Sequence, residues 1–296
     1  MASLPHPIQY QGSKRSIASD ILKFFPKKVS RLVEPFAGTA AISVAASAKN
    51  ITQNFLINDI NQPLVKLLEL IVEHPNEIAD FYTTIWQQQN NSSIEHYYKM
   101  RDEFNKNSDS KLFLYLLARC VKGAVRYNRE GLFNQSPDKR RKGTHPSKMK
   151  KNIEGVSKLL KGKCTFTNLD YRDVLAQINS SDFAYLDPPY QGVCGNKDSR
   201  YYSGIDFYDF VLALEDLNRR NISFVVSYDG KRGDKKFGSE LPKELNLKKI
   251  DIEVGRSSQA TLLGREEITI ESLYCSPTLN TEINIHNLSR QLVVIR

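Results

Sequence analysis

The sequence of 296 residues predicts an α/β fold, a doubly wound parallel sheet with a mostly helical domain inserted into it. Strand-like and helix-like segments alternate at the start of the chain, and the same alternation returns in the second half. A polar, aromatic and basic stretch separates the two. We therefore assign residues 1–73 and 164–296 to the sheet domain and residues 74–163 to the insertion.

The first strand-helix unit is "RLVEPFAGTAAISVAASAKN". It predicts a strand over 31–36, a tight turn through Gly38 and a helix of small residues over 40–48. Glycine lets the backbone come close to a ligand, and the following helix points its positive end toward the same place.

The second unit begins with "NFLIND", a predicted strand that ends at Asp59. In "QPLVKLLELIVEHP", apolar residues recur with the helical period, and Pro63 and Pro75 mark the two ends of the helix. An acid that ends the second strand is placed to grip the ribose hydroxyls of a nucleotide-type cofactor.

The insertion contains a helical pattern, "KLFLYLLARCV", and a loop-like one, "NREGLFNQSPDKRRKGTHPS". The whole chain carries a net charge of +9, and between Lys139 and Lys163 ten lysines and arginines stand against one acid, Glu154. So concentrated a charge favours contact with phosphates over a merely solvated face.

The second half contains "CTFTN" and then "SDFAYLDPPYQG", in which residues 183–186 predict a buried strand. Asp187 ends that strand, and Pro188 and Pro189 take the chain out of the sheet in a stiff, extended path toward Tyr190. Hydrogen-bond acceptors beside an aromatic face suit an amino group on a flat ring. A helix in "IDFYDFVLALEDLNRR" and strands in "ISFVVSYD", "LKKIDIEV" and "EEITIESLY" are predicted to complete the sheet.

Composition excludes several other classes of protein. No apolar run is long enough to span a bilayer, and the N-terminus lacks the apolar segment of a secretory signal, so we expect a cytoplasmic protein without a membrane partner. The four cysteines, Cys120, Cys164, Cys194 and Cys275, lack the spacing of a disulfide framework or a zinc site.

Six motifs carry a resemblance that covers nearly the whole chain: "QYQGSKR", "EPFAGTAA", "LINDIN", "RYNREGLFNQSP", "DPPY" and "REEITIESLY". In this order they resemble the adenine-N6 DNA methyltransferases of the Dam-like (D12, α-group) class. The resemblance implies a Rossmann-like S-adenosylmethionine-dependent methyltransferase sheet with an inserted target recognition domain. It also implies a monomer that acts on double-stranded DNA, in the nucleoid, without a metal. Such an enzyme serves a restriction-modification system, beside an independently acting restriction endonuclease, or is an orphan or phage counterpart.

The resemblance also implies site residues. Those implied for the cofactor are Tyr10, Lys14, Glu34, Phe36, Ala37, Gly38, Thr39, Asp59, Asp170, Tyr171 and Asp187. Those implied for catalysis are Asp187, Pro188, Pro189 and Tyr190, with Tyr190 stacking on a flipped base. Those implied for DNA binding are Arg119, Lys122, Arg126, Asn128, Asn134, Ser136, Lys139, Arg140, Arg141 and Lys142.

The sequence departs from the family pattern in the DNA-contacting loop. Val121 and Lys122 precede Gly123, where members commonly have an aromatic-Asn pair, and "FNQSPDKRRKG" is more basic than the usual "FNVPFG". Four alternatives remain: methylation of cytosine N4, of an adenine in RNA, or of a glutamine amide, and a DNA-binding module with a decayed site. The Asp before Pro-Pro-Tyr disfavours the glutamine substrate.

Overall fold

A computed structural model describes residues 4–89, 92–189, 205–232, 235–237, 240–256 and 268–279 of the chain. Within these residues eight strands form one sheet in the order β3-β2-β1-β4-β5-β8-β7, and β6 pairs with β5. The strands are β1 (Arg31–Glu34), β2 (Phe55–Asn58), β3 (Cys164–Thr167), β4 (Asp182–Leu186), β5 (Ser223–Arg232), β6 (Lys235–Phe237), β7 (Lys248–Arg256) and β8 (Ile268–Cys275). The first five are mutually parallel, whereas β8 runs antiparallel to both β5 and β7.

Helices cover the sheet. The helices of the described residues are α1 (Ala18–Ile21), α2 (Ala41–Ala48), α3 (Gln62–Glu73), α4 (Pro75–Gln88), α5 (Ser93–Asn107), α6 (Ser110–Arg119), α7 (Pro146–Leu160), α8 (Tyr171–Gln177) and α9 (Phe207–Arg219). Two buried apolar clusters lie in the fold, and the two faces of the central strands contribute to different ones. Burial on both faces explains why residues 55–57 of β2 and 183–186 of β4 are apolar or aromatic without interruption. The doubly wound α/β sheet predicted from the sequence is confirmed.

The carboxyl ends of β1, β2 and β4 meet at one edge of the sheet. Val33 in β1 is aligned with Leu56 in β2 on one side and with Ala184 in β4 on the other. The segments that follow these strands therefore lie side by side. We call that side of the sheet the carboxyl edge, and the opposite side the amino edge.

Most predicted element boundaries agree with the structure, and the first strand is shorter than expected. It stops at Glu34 instead of residue 36, because Pro35 cannot donate to the ladder and the chain turns toward α2. Helix α3 begins and ends as its prolines predict, and the side chain of Asn61 caps it by accepting a hydrogen bond from Leu64 N.

Among the described residues between β2 and β3, helices α3 to α7 follow one another with short connections, except that residues 124–145 form no helix and only isolated β-bridges. Helix α7 packs on α2, α3 and α4, and Ser157 Oγ donates to Val72 O of α3 at 2.6 Å. The apolar cluster on that face of the sheet continues into α4 to α7. The division of the chain at residues 74 and 163 stays a prediction. No described helix has the length and apolar content needed to cross a membrane.

Candidate active site

A pocket opens at the carboxyl edge, between the N-terminal segment and the ends of β1, β2 and β4. It is lined by Tyr10, Gln11, Gly12, Ser13, Lys14, Glu34, Phe36, Ala37, Gly38, Thr39, Ala41, Ile42, Asp59, Ile60, Asn61, Val125, Tyr185, Asp187, Pro188 and Pro189. Nine of the eleven residues predicted to hold the cofactor are among them, together with two of the remaining predicted catalytic residues, Pro188 and Pro189. Segments that are distant in sequence thus share one cavity.

The turn that contains Gly38 is held at this pocket by Asp59, at the end of the neighbouring strand β2. Gly38 has a φ of +52°, a conformation that favours glycine, and its N–H donates to Asp59 Oδ2 at 2.9 Å. Asn61 N donates to the other carboxylate oxygen at 2.9 Å. Burial raises the pKa of Asp59, while these two backbone donors oppose the rise. The carboxylate is therefore fixed in orientation at the pocket wall.

Glu34 is a second buried acid of the pocket. Its Oε1 accepts hydrogen bonds from Ser43 N at 2.8 Å and from Ser43 Oγ, near the start of α2. Burial raises the pKa of Glu34 to about 7, against the effect of these hydrogen bonds. A buried carboxyl of this kind favours a cationic group beside it.

Asp170 and Tyr171 line a second cavity that shares Phe36, Ile60 and Pro189 with the first. The rings of Tyr171 and Phe36 lie 5.0 Å apart. Asp170 caps α8, and its ion pair with Arg172, 2.9 Å long, helps hold the pKa of that carboxyl below its usual range. The two cavities together offer an apolar slot beside a row of acids.

This combination fits S-adenosylmethionine, the cofactor that the resemblance implies. Glu34, Asp59 and Asp187 line the pocket although the chain as a whole is strongly cationic. A ligand with an ammonium group, a sulfonium, two ribose hydroxyls and a flat base matches acids at one end and an apolar slot at the other.

We expect Asp59→Ala to raise the dissociation constant for S-adenosylmethionine by about tenfold to a hundredfold, the usual worth of hydrogen bonds to a charged group. Calorimetric titration measures it. Asp80→Ala, at an exposed aspartate of α4, is the matched control. An unchanged dissociation constant in a folded Asp59→Ala protein would contradict a role in cofactor binding.

Asp187 lies at the end of β4, facing the N-terminal segment. Its Oδ1 accepts from Lys14 Nζ at 2.9 Å, and the same ammonium contacts Glu271 Oε1 of β8 at 3.0 Å. Burial raises the pKa of Asp187 to about 6; Lys14 opposes the rise and Glu271 adds to it. Tyr190 lies outside the described residues, so its stacking on a base stays a prediction.

Sequence reasoning missed several residues of this site, chiefly Ile60, Asn61, Val125 and Glu271. Glu271 could have been found, because in "ITIESLYC" it alternates with Leu273 and Cys275, both of which are fully buried. A glutamate on the buried face of an apolar strand indicates a polar partner inside the protein. The partner, Lys14, is not evident from the strand itself.

The turn Val121–Gly123, directly after α6, docks on the N-terminal segment that lines the pocket. Gln11 N donates to Gly123 O at 2.9 Å, and a Cβ at Gly123 would lie 2.8 Å from the backbone carbonyl of Gln9. Lys122 is exposed at this turn, with a φ of +59°. The predicted DNA-contacting loop is thus in direct contact with the pocket wall.

We call residues 134–145 the basic loop. Its backbone carbonyls accept hydrogen bonds from side chains of α4 and α5 and from Gln89, which follows α4. Tyr82 donates to Thr144 O at 2.6 Å, Gln89 to Lys142 O at 3.1 Å and Tyr97 to Gln135 O at 2.9 Å. With these carbonyls directed inward, the side chains of Lys139, Arg140 and Lys142 are exposed. The loop presents its cations on a fixed backbone.

Arg119 was predicted to contact DNA, but the structure places its guanidinium inside the protein. It is 1% exposed and donates to the carbonyls of Asp138, at 3.0 Å, of Ser93, at 3.2 Å, and of Arg141. It therefore serves to hold the basic loop, and its position does not match a contact with phosphates.

The other predicted DNA residues lie at the surface. Arg126, Asn134 and Ser136 are exposed. Asn128 is half-buried, and its Oδ1 accepts from Glu130 N at 3.0 Å and Leu132 N at 2.9 Å, so this side chain shapes its own turn. Arg141 is largely exposed and pairs with Asp138 at 2.7 Å.

The fold divides the basic segment of the sequence, residues 139–163, between two places. The basic loop is joined to the carboxyl edge through Arg119 and the Val121–Gly123 turn. Helix α7 then runs to the amino edge, where Lys161 Nζ donates to Glu73 O at 2.8 Å and Lys163 Nζ to Leu159 O at 2.8 Å. These two lysines interact with the carbonyl ends of helices, an arrangement favoured by the helix dipole. The ten cations do not form one surface.

We expect Arg119→Met to lower the free energy of unfolding by about 2–4 kcal/mol, because buried carbonyls of the basic loop are left without their donor. Urea unfolding measures the change. The exposed Arg129, replaced in the same way, is the matched control. A destabilisation no larger than that of Arg129→Met would show that the guanidinium does not hold the loop.

Comparison with known proteins agrees with this geometry. A family model described as D12 class N6 adenine-specific DNA methyltransferase matches residues 10–254. The chain is 29% identical over 223 residues to the Type II methyltransferase M.MjaIII of Methanocaldococcus jannaschii, covering 68% of this chain and 74% of that protein. It is 27% identical over 227 residues to the Retron Ec67 DNA adenine methylase of Escherichia coli, covering 74% and 75%. It is also 27% identical over 302 residues to the Modification methylase StsI of Streptococcus sanguinis, covering 93% of this chain and 43% of that protein.

Proposed function

The chain belongs to the D12 class of N6 adenine-specific DNA methyltransferases, and from this membership we propose that its pocket binds S-adenosylmethionine while Asp187 and Pro188 orient the amino group of an extruded adenine. Methylation of adenine N6 in DNA is the activity of the family. We further propose a monomer that acts on double-stranded DNA at a specific site.

One observation carries the proposal: Gly38 with its hydrogen-bonded partner Asp59, and the segment Asp187–Pro188–Pro189, line the same cavity. The first is the arrangement expected to hold a nucleoside cofactor, and the second is the arrangement expected to hold an amino group. When bound, S-adenosylmethionine supplies a methyl group already activated by its sulfonium. The protein's task is then positioning and electrostatic stabilisation.

Asp59 binds the ribose hydroxyls, and the buried Glu34 attracts the ammonium group of the cofactor. The cavity between Phe36, Ile60 and Pro189 receives the adenine ring of the cofactor, beside Asp170 and Tyr171. The acids and the rings that these roles need therefore lie in two adjoining cavities at the carboxyl edge.

An exocyclic adenine amine is a poor nucleophile because its lone pair is delocalised into the ring. Hydrogen bonds from its two hydrogens to the Asp187 carboxylate and the Pro188 carbonyl favour a tetrahedral nitrogen with a localised lone pair. Asp187 must be ionised to accept strongly. Lys14, 2.9 Å from Oδ1, favours that ionised form inside a buried site.

The target adenine is inaccessible within a duplex, so it has to be extruded, at a cost of a few kcal/mol. Stacking on Tyr190 and on the rigid proline segment offsets part of that cost. Exposed cations of the basic loop hold the phosphates, and Arg126 reads a base edge. Asn128 contributes to base reading through Nδ2, because its Oδ1 accepts hydrogen bonds from its own turn.

We propose that the enzyme is the modification partner of a restriction-modification system or an orphan counterpart of one. Relatives that are named a Type II methyltransferase and a modification methylase support the first role, and a retron adenine methylase supports the second. The restriction endonuclease, where present, acts independently.

Methyl transfer from labelled S-adenosylmethionine to duplex DNA tests the activity. Nucleoside analysis should find the label in N6-methyladenine, and long-read sequencing of DNA from expressing cells should find the modification at one sequence motif. Label in N4-methylcytosine, label in RNA alone, or DNA binding without transfer would refute the proposal in favour of one of the alternatives.

A further inference from the structure

Two carboxylates share the Lys14 ammonium beside the pocket. Lys14 Nζ lies 2.9 Å from Asp187 Oδ1 and 3.0 Å from Glu271 Oε1, and the three side chains are between 9% and 19% exposed. Asp187 is explained by its part in orienting the substrate, and Lys14 by its contact with Asp187. Glu271 has no place in the proposed chemistry, although burying a second carboxylate there is costly.

The sheet itself fixes the position of Glu271. Ser227 Oγ donates to Glu271 Oε1 at 2.6 Å, and the pairing of β5 with β8 shifts register between Ser227 and Gly230. A Cβ at Gly230 would lie 2.7 Å from Ile270 O, so the two strands approach closely at this irregularity. The carboxylate is thus anchored by a neighbouring strand as well as by Lys14.

A lysine ammonium is a point charge on a flexible stem, and alone it would not define the rotation of an aspartate. Two acceptors, Asp187 and Glu271, define the position of the ammonium, because strands β4 and β8 hold them in place. Because Lys14 occupies Oδ1 of Asp187, Oδ2 is the oxygen left to accept a hydrogen bond from a substrate amino group.

We propose that Glu271 is a positioning residue of the transfer reaction: anchored by Ser227, it fixes the Lys14 ammonium on Oδ1 of Asp187 and so orients Oδ2 toward the adenine amine. This inference rests on the proposed function. It assigns Glu271 a part in catalysis without contact with substrate or cofactor.

The same geometry has an electrostatic consequence. Among the described residues, the charged or titratable groups that act on Asp187 are Lys14, Glu271, Tyr185 of its own strand and, from β1, Glu34. The negative charge of Glu271 raises the pKa of Asp187. Since transfer needs ionised Asp187, activity rises with pH through that pKa, and removal of the charge moves the rise to lower pH.

Three variants separate the hydrogen-bonding role of Glu271 from the effect of its charge. Glu271→Leu removes the acceptor, Glu271→Gln keeps an acceptor oxygen but removes the charge, and Glu253→Gln at an exposed position of β7 is the matched control. Each is assayed for kcat against pH, for KM with duplex DNA, and for the dissociation constant of S-adenosylmethionine. Circular dichroism and thermal unfolding establish that each variant is folded.

We expect Glu271→Leu to lower kcat at the pH plateau by about tenfold to a hundredfold, as a misplaced catalytic group does, with KM and the cofactor dissociation constant unchanged. Glu271→Gln should retain plateau kcat within a few-fold and shift the acidic limb of the profile to lower pH. Glu253→Gln should match the wild type in every readout.

Equal reductions of plateau kcat in both variants with an unmoved acidic limb would overturn the proposal, as would an effect confined to KM or to cofactor affinity. If Glu271→Leu does not fold, the pH limb of Glu271→Gln alone decides. A wild-type protein without adenine methylation would refute the proposed function instead, so the two failures are distinguishable.

Discussion

Asp187→Ala should abolish methyl transfer, lowering kcat by about 10²–10³ or more, the size of effect seen when a group aimed at the reacting centre is removed. In the proposed mechanism the carboxylate orients the adenine amine, and no other described acid lines the pocket at the end of β4. DNA affinity should stay nearly unchanged, because we assign the phosphate contacts to the basic loop and not to Asp187. Single-turnover transfer and equilibrium DNA binding measure the two quantities separately.

The replacement leaves a partner for the buried Lys14, since Glu271 still contacts its ammonium at 3.0 Å. We therefore expect a folded protein, because the buried ammonium is not left without a counter-charge. Asp173→Asn, at an exposed position of α8, provides the control. Transfer within a few-fold of wild type by a folded Asp187→Ala protein would remove Asp187 from the mechanism.

The central sheet and the meeting of its strand ends could be predicted from sequence, because both depend on short-range patterns. Continuous apolar runs identify buried parallel strands, and such strands bring the residues that follow them to one edge. Gly38, Asp59 and Asp187 follow from this reasoning, and the structure brings all three into one pocket.

Arg119 shows what sequence patterns could not supply. An arginine at the end of an amphipathic helix beside a basic segment has the same local pattern whether it points outward or inward. Its burial follows from the carbonyls that the basic loop and α5 place around it, and those are tertiary contacts. Glu271 depends in the same way on a lysine that precedes it by most of the chain's length.

The charge count of residues 139–163 is similarly incomplete as a guide to the DNA-binding surface, because helix α7 extends away from the site. A sum over sequence treats Lys142 and Lys163 as neighbours, whereas the fold places them toward opposite edges of the sheet. Lys161 and Lys163 have carbonyl partners at helix ends there. We therefore expect only the first part of the segment to meet a duplex whose extruded base enters the pocket.

Neutralising the exposed cations of the basic loop, in the variant Lys139→Gln, Arg140→Gln and Lys142→Gln, should weaken specific and non-specific DNA binding alike. Cations that neutralise phosphates release counterions, so the slope of log K against log salt should fall by about 0.9 for each phosphate that is no longer neutralised. Arg141 is left in place because its ion pair with Asp138 is 2.7 Å long and belongs to the structure of the loop. Salt titrations on cognate and unrelated duplexes give the measurement.

The control is a second triple variant, Lys27→Gln, Lys49→Gln and Lys158→Gln, which removes the same charge from exposed positions. Lys27 precedes β1, Lys49 follows α2 and Lys158 lies near the end of α7, so all three are toward the amino edge. If the net charge of the chain drives binding, the slope should fall equally in both triple variants. If the basic loop holds the phosphates, it should fall only in the first, since screening makes a charge on the far side of the sheet ineffective beyond about 10 Å at ordinary salt. An unchanged slope in the basic-loop variant would contradict the assignment of this loop to DNA, whatever the control shows.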